Sequence, residues 1–250
     1  MNKCVLLLAV LCSALSHADQ VTLRADVWFP MNGEPGSANP GYMIEVADKA
    51  FAAAGHSIDY ANMPWERAVA EVRAGKIDCA VGAYKEDAPD FVYGDQHLGL
   101  DTQAFFVKKG TPFRYTGNLE DLRNVSIGII GGYSYGEDFD EFIKQPGLSV
   151  QSISADNALE QNIKKLLAGR IVTTLDSVPV VRAKIKEMGV QDQIVMAGQF
   201  GEPTPMYIAC SPAKPTSKQY VAILDKGIRD LRASGELKKI LDKYGLEDWQ

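Results

Sequence analysis

Twice along this 250-residue chain a helix closes on a small-residue turn and runs straight into a strand: "VRAGKIDCAV" at residues 72–81 and "LLAGRIVTTL" at residues 166–175. Each sits at the same place in a longer succession. In the first round "VTLRADVWF" alternates and is rich in β-branched and aromatic residues, which reads as a strand. The Pro- and Gly-dense loop "PMNGEPGSANPG" follows. "YMIEVADKAFAAAG" then puts Ile44, Ala47, Phe51 and Ala54 on one helical face, "HSIDYANM" is a strand, and "PWERAVAEVRAG" is a helix opened by Pro64, with Trp65, Ala68, Val69 and Val72 on one side. "KIDCAVGAY" is the third strand. The second round repeats the order with "VSIGIIGG", "YSYGEDFDEFIKQ", "LSVQSI", "SADNALEQNIKKLLAG" and "RIVTTL", and "DSVPVVRAKIKEMG" adds a helix. Strands alternating with helices call for parallel sheets covered by helices, with right-handed crossovers.

Two further strands, "TQAFFVKK" and "TPMYIACS", lie between and after the rounds, and the tail from about Lys218 is helical, with Val221, Leu224, Ile228 and Leu231 on one face. The fold class expected is therefore α/β, with two doubly wound lobes joined by two crossing segments. In such sheets ligands bind at the carboxyl ends of the strands, so the two sets of ends should face each other across a cleft.

The first eighteen residues, "MNKCVLLLAVLCSALSHA", carry a cation at Lys3, an apolar run from Cys4 to Leu15 and small residues at Ser16 and Ala18. This is the grammar of a secretory signal peptide cleaved after Ala18. The run is too short to span a bilayer, so export to the periplasm as a soluble protein is expected. Cleavage takes away Lys3 and no acid, which moves the net charge from −6 to −7. An acidic chain without a basic block argues against nucleic acid and anionic membrane as partners. His56 and His97, the histidines left after cleavage, stand apart from any cluster at ligand spacing, so neither a metal nor another cofactor is expected. Cys79 and Cys210 also survive cleavage; they read equally as a disulfide of an oxidising compartment or as two buried thiols.

With these segments in order, the sequence resembles the type II periplasmic solute-binding proteins, in particular the polar-amino-acid-binding branch, family 3, of ABC transporter substrate-binding proteins. The stretches that carry the resemblance are "PGYMIEVADKAFAAAG", "PWERAVAEVRAGKID", "VSIGIIGGYSYGEDFD", "LLAGRIVTTLD" and "ILDKGIRDLRASGELKKILDKYGL". The resemblance implies a monomeric receptor that closes on a small solute, an amino acid or similar carboxylate, and delivers it to an inner-membrane ABC permease or a sensor. It implies lobe boundaries at residues 19–101 and 205–250 for the first lobe and 102–204 for the second. It also implies that "MYIACS" lies antiparallel beside "KIDCAVGA", with Cys79 and Cys210 near the end away from the cleft, which favours a bridge.

Relatives clamp a ligand carboxylate with an arginine shortly after the third strand, but "AYKEDAPDFVYGD" contains none. Lys85 could supply a point charge, without the planar fork of a guanidinium. Arg67 is the other candidate, and equally a solvated residue of an exposed helix face. Asp176 matches the acid that receives an α-ammonium group, and otherwise reads as a helix cap. "GGYSYG" offers backbone N–H groups and the Ser134 hydroxyl to an anion. Trp28, Trp65, Tyr84, Tyr133 and Tyr135 fall at strand ends or helix starts, where they would wall a pocket or simply pack a core. Catalysis is not expected. The competing reading is a dehydratase-like enzyme on the same scaffold, with Glu66, Glu86 or Asp87 as acid or base.

Overall fold

A computed structural model describes residues 18–250; the expected leader, except for Ala18, lies outside them. The first lobe is entered through β1 (Gln20–Ala25), α1 (Tyr42–Ala53), β2 (Ser57–Asn62), α2 (Trp65–Arg73) and β3 (Cys79–Ala83). The chain crosses to the second lobe in β4 (Gly99–Lys108) and builds it from β5 (Ser126–Ile130), α3 (Glu137–Phe142), β6 (Ser149–Ile153), α4 (Ala158–Leu167), β7 (Thr173–Ser177) and α5 (Val178–Glu187). It returns through β8 (Ile194–Cys210) and ends in α6 (Ser217–Ala233) and α7 (Glu236–Lys243) on the first lobe. No helix among the described residues is long and apolar enough to cross a membrane.

The strand order is β2-β1-β3-β8-β4-β7-β5-β6. β1 pairs in parallel with β2 and β3, and β5 in parallel with β6 and β7, the outcome of the crossover helices in each round. β8 belongs to both halves. Its end lies antiparallel to β3 and its beginning antiparallel to β4. Where β4 and β8 cross side by side, Gly99 faces Met206 and Asp101 faces Thr204, and these two strands are the covalent links between the lobes.

Core packing follows the periodicities. Phe51 and Val46 of α1 are fully buried beside Leu23 of β1, and Leu224 and Ile228 of α6 close the same layer. Each large apolar side chain so placed contributes about 1.5–3 kcal/mol. On the opposite face α2 buries Val69 and Val72. In the second lobe Phe105, Phe139, Ile127 and Leu175 form one layer, while Ile163 and Leu166 of α4 fill the other.

Cys79 and Cys210 are bridged, from directly opposite positions of β3 and β8.

Three elements differ from the sequence reading. β8 starts ten residues before "TPMYIACS", because the edge of β4 takes up Ile194–Phe200 as its partner, and two register shifts on the way hide the alternation. β7 begins at Thr173, where pairing with β5 starts, and runs through Asp176 to Ser177. α3 is a six-residue helix, so residues 133–136 remain an open loop.

Candidate functional site

All the strand ends that point towards the other lobe bring chemistry with them. β1 leads into Asp26 and Trp28, β3 into Tyr84 and Asp87, β5 into Tyr133 and Ser134, β7 into Asp176, and the crossing strand β4 carries Asp101 and Gln103. Between them lies a cavity of about 20 Å³, lined by the aromatic side chains of Trp28, Trp65, Tyr84 and Tyr133 and by Asp26, Asp87, Val81 and Gly82. That is room for one water. The lobes are closed.

The walls are set by aromatic contacts and one glycine. Trp28 meets Tyr84 edge-on at 6.1 Å, and Trp65 meets Tyr133 edge-on at 6.2 Å, so each pair spans a side of the cavity. Gly82 has φ +86° in the irregular part of the β3–β8 pairing, and a Cβ there would lie 3.1 Å from the Trp28 ring. The left-handed backbone there favours glycine, and a side chain would also crowd the indole.

Closure is held by first-lobe carboxylates that accept hydrogen bonds from the second lobe. Tyr133 donates its hydroxyl to Asp26 Oδ2 at 2.7 Å, the Ser134 backbone N–H donates to Asp87 Oδ1 at 3.0 Å, and Ser154 Oγ donates to Glu66 Oε2 at 3.2 Å. Asp87 is itself fixed by the Tyr84 backbone N–H on its other oxygen. At the crossing strands Tyr84 donates to Asp101 Oδ2 at 2.6 Å, and the Ser177 hydroxyl donates to Asp101 Oδ1.

Gly132 lies against Glu66 with φ +81°, and a Cβ on it would come within 2.8 Å of Glu66 Cβ. Gly132→Ala should therefore wedge the lobes apart. The left-handed backbone costs the alanine variant about 1–2 kcal/mol in any state, but the steric clash exists only when the lobes meet. Small-angle scattering at pH 5 should show a larger radius of gyration for the variant than for the wild type. Equal radii would mean that closure does not bring these two residues together.

The electrostatics are one-sided. Asp26 is 4 % exposed, and burial pushes its carboxyl up to about 7, although the Tyr133 hydrogen bond opposes this. Asp176 is 2 % exposed; burial, with Asp101 and Asp26 nearby, pushes it up to about 8 despite the Ser177 backbone N–H on Oδ1. Asp87 is pushed up to about 7, chiefly by desolvation, with its hydrogen bonds from Tyr84 and Ser134 opposing. Desolvation also raises Asp101. Among the described residues, Asp176 Oδ2 has no hydrogen-bond partner, and neither have the indole nitrogens of Trp28 and Trp65. The Trp28 indole lies close enough to favour the charged form of Asp176 without closing a bond to it.

The residues singled out in the sequence divide accordingly. Trp28, Trp65, Tyr84 and Tyr133 line the closed cavity, and Asp176 is buried beside it. Asp176 does not cap α5, which has no side-chain cap. Ser134 is at the cleft, but its N–H is occupied by Asp87 and its hydroxyl by Asp140. Tyr135 turns into the second-lobe core against Phe139, with its hydroxyl taken by the Ile130 N–H. Arg67 stands out from α2 in an ion pair with Glu71, its side chain 65 % exposed. Lys85 is exposed over the rings of Tyr93 and Tyr207. Neither cation reaches the cavity. Asp26 and Asp101 were missed; an acid directly after the apolar alternation of "VTLRA" is a strand-end signal of the same kind as Asp176.

Residues 25–247 match the bacterial extracellular solute-binding proteins, family 3. A probable amino-acid-binding protein, YxeM of Bacillus subtilis (strain 168), is 22 % identical over 211 residues, covering 83 % of this chain and 76 % of that protein. Among solved structures, an amino acid ABC transporter substrate-binding protein, AbpA from Streptococcus pneumoniae Canada MDR_19A, bound to L-arginine, superposes with a TM-score of 0.71 at 20 % identity, over 92 % of this chain and 97 % of that one. A histidine kinase sensor domain with similarity to periplasmic binding proteins superposes with a TM-score of 0.76 at 17 % identity, over 93 % and 99 %. These likenesses are to the fold, which is that of type II periplasmic binding proteins.

Proposed function

The chain belongs to the bacterial extracellular solute-binding proteins, family 3, and from that membership we propose that it is a periplasmic receptor that closes on one small polar solute and hands it to an ABC permease of the inner membrane. The solute is of amino-acid size, the class named for the relatives above. Residues 19–101 and 205–250 move as one lobe and residues 102–204 as the other, about the crossing of β4 and β8.

The observation that carries this reading is the meeting of Asp26, Trp65, Asp87 and Tyr133, from opposite lobes, around one small cavity. A solute entering the open cleft gains contacts with both lobes only when they close. Its differential affinity for the closed state is what shifts the equilibrium. Trp28, Trp65, Tyr84, Tyr133 and Asp176 are the contacts the solute uses.

A thermal-shift screen of purified protein against amino acids, amines and small carboxylates tests the proposal. A true ligand at a hundredfold excess over its Kd adds about 2.7 kcal/mol, a rise in Tm of roughly 5–10 °C for a chain of this size. A protein first unfolded and refolded to strip bound solute, and then stabilised by none of them, would not be such a receptor.

A further inference from the structure

We propose that the solute is an organic ammonium cation that carries no carboxylate beside its charged nitrogen. The inference rests on the receptor reading above and narrows it.

The place where a ligand carboxylate could dock is already taken. The loop after β5 presents its Ser134 N–H to the first lobe, and the acceptor there is Asp87, a carboxylate of the protein itself. A second carboxylate arriving at that amide would have to displace Asp87 and would face its charge. The cations that might have received it are elsewhere: Arg67 is paired with Glu71, and Lys85 lies over Tyr93 and Tyr207. Lys184 lines the neighbouring groove, but it is paired with Glu187 at 2.8 Å. Among the described residues no Arg, Lys or His lines the cavity.

What surrounds the cavity suits a positive charge instead. Asp26 and Asp87 line it, Asp176 is buried next to Asp26 and Trp28, and Asp101 lies behind Tyr84, whose hydroxyl donates to it. Buried carboxylates without a cation are costly and drift towards their neutral forms; an ammonium group placed among them removes that cost. Asp176 is 2 % exposed, and among the described residues its Oδ2 has the Trp28 indole near it but no hydrogen-bond partner and no cation, which leaves an acceptor for a ligand donor. Trp28, Trp65, Tyr84 and Tyr133 line the cavity, and aromatic rings attract organic cations most strongly where water is excluded. The acids do not converge: among the described residues no group of three or more His, Cys, Asp or Glu could hold a metal ion. Dispersed acids with aromatic walls match a charged nitrogen on a carbon frame rather than a bare ion.

Matched pairs that differ by one carboxylate test this directly. Isothermal titration at pH 8 would compare agmatine with arginine, cadaverine with lysine, putrescine with ornithine and histamine with histidine. In at least one pair the amine should bind at least about tenfold more tightly than its amino acid. Asp176→Asn, which keeps the shape and removes the charge, should weaken that amine by at least about tenfold. If Asp176→Asn does not fold, Asp26→Asn is measured in its place, with the same expectation. An amino acid that binds as tightly as its amine overturns the inference and leaves the receptor reading intact. The inference also fails if no amine binds. Should the broader thermal screen find no stabiliser either, the receptor reading falls with it.

Discussion

Ligand-free protein should open as the pH rises from 5 to 9, with a growing radius of gyration in solution scattering and a red shift of tryptophan fluorescence as Trp28 and Trp65 meet water. The cause is the set of acids sealed in the closed cleft. Asp26 titrates near 7 and Asp176 near 8 there, against an ordinary value of 3.8. Opening returns water to both and brings them back towards the ordinary range. Between about pH 4 and 8 the closed form therefore holds more protons than the open form. Raising the pH takes those protons away and favours opening; lowering it favours closure. The contribution is complete below the open-state value and is lost as pH climbs through 7 and 8. Each pKa unit is 1.36 kcal/mol, so the rise of Asp26 to about 7 is worth on the order of 4 kcal/mol and that of Asp176 to about 8 on the order of 6 kcal/mol. A bias of about 5.5 kcal/mol carries a two-state equilibrium from 1:99 to 99:1.

No facing group cancels this effect. Asp26 looks onto Tyr133, Asp156 and Tyr60, and Asp176 onto Asp101, Asp26, Trp28 and the two tyrosines of the β5–α3 loop. None of these is a cation. Asp176→Asn should flatten the profile, because the amide has no proton to lose. A radius that stays the same from pH 5 to pH 9 in the wild type would mean that these carboxyls do not govern closure. A cationic solute acts on the same groups in the opposite sense, holding the lobes shut with the acids ionised.

How much of this was legible in the sequence depended on whether a signal is local. The parallel pairings followed from periodicity and from the two glycine turns before β3 and β7, because a helix face and a strand alternation are written in neighbouring residues. Trp28, Trp65 and Asp176 were singled out because the family resemblance puts ligand contacts at those strand ends and helix starts; the strand-end rule alone left Asp176 as readily a helix cap. The pairing of Ser134 with Asp87, 47 positions away, was not found. "GGYSYG" reads as an anion site whichever carboxylate fills it, and only lobe closure decides that the filler is the protein's own. Arg67 took the solvated one of its two readings for a related reason. One residue of rotation on α2 separates a cleft position from a solvent position, and the Glu71 partner four residues on turns the guanidinium outward. β8 was half hidden because its register shifts break the period of two on which strand reading depends.

Breaking the Cys79–Cys210 bridge should lower stability more than any single substitution in the cleft, and should leave the cleft's affinity unchanged. The two cysteines are 131 positions apart. That interval holds the end of the first lobe's outward path, both crossing strands and the whole second lobe. Cross-linking its ends removes loop-closure freedom from the unfolded chain, about 5 kcal/mol on an entropic account and about 2–5 kcal/mol in practice. For a chain of this length that is a fall in Tm of roughly 5–15 °C. Reduced wild type comes nearest to isolating the cross-link, since both sulfur atoms are retained at these fully buried positions and need only move from bonding distance to van der Waals contact. The Cys79→Ala, Cys210→Ala double variant adds the loss of the sulfurs and should melt at or slightly below the reduced protein. Cys79 begins β3, whereas Gly82, Tyr84 and Asp87 at its far end reach the cleft, so solute binding below the melting range should not change. Protein with both thiols shown free by alkylation, yet melting where the oxidised protein melts, would show that β8 is held to β3 by its ladder and its packing alone.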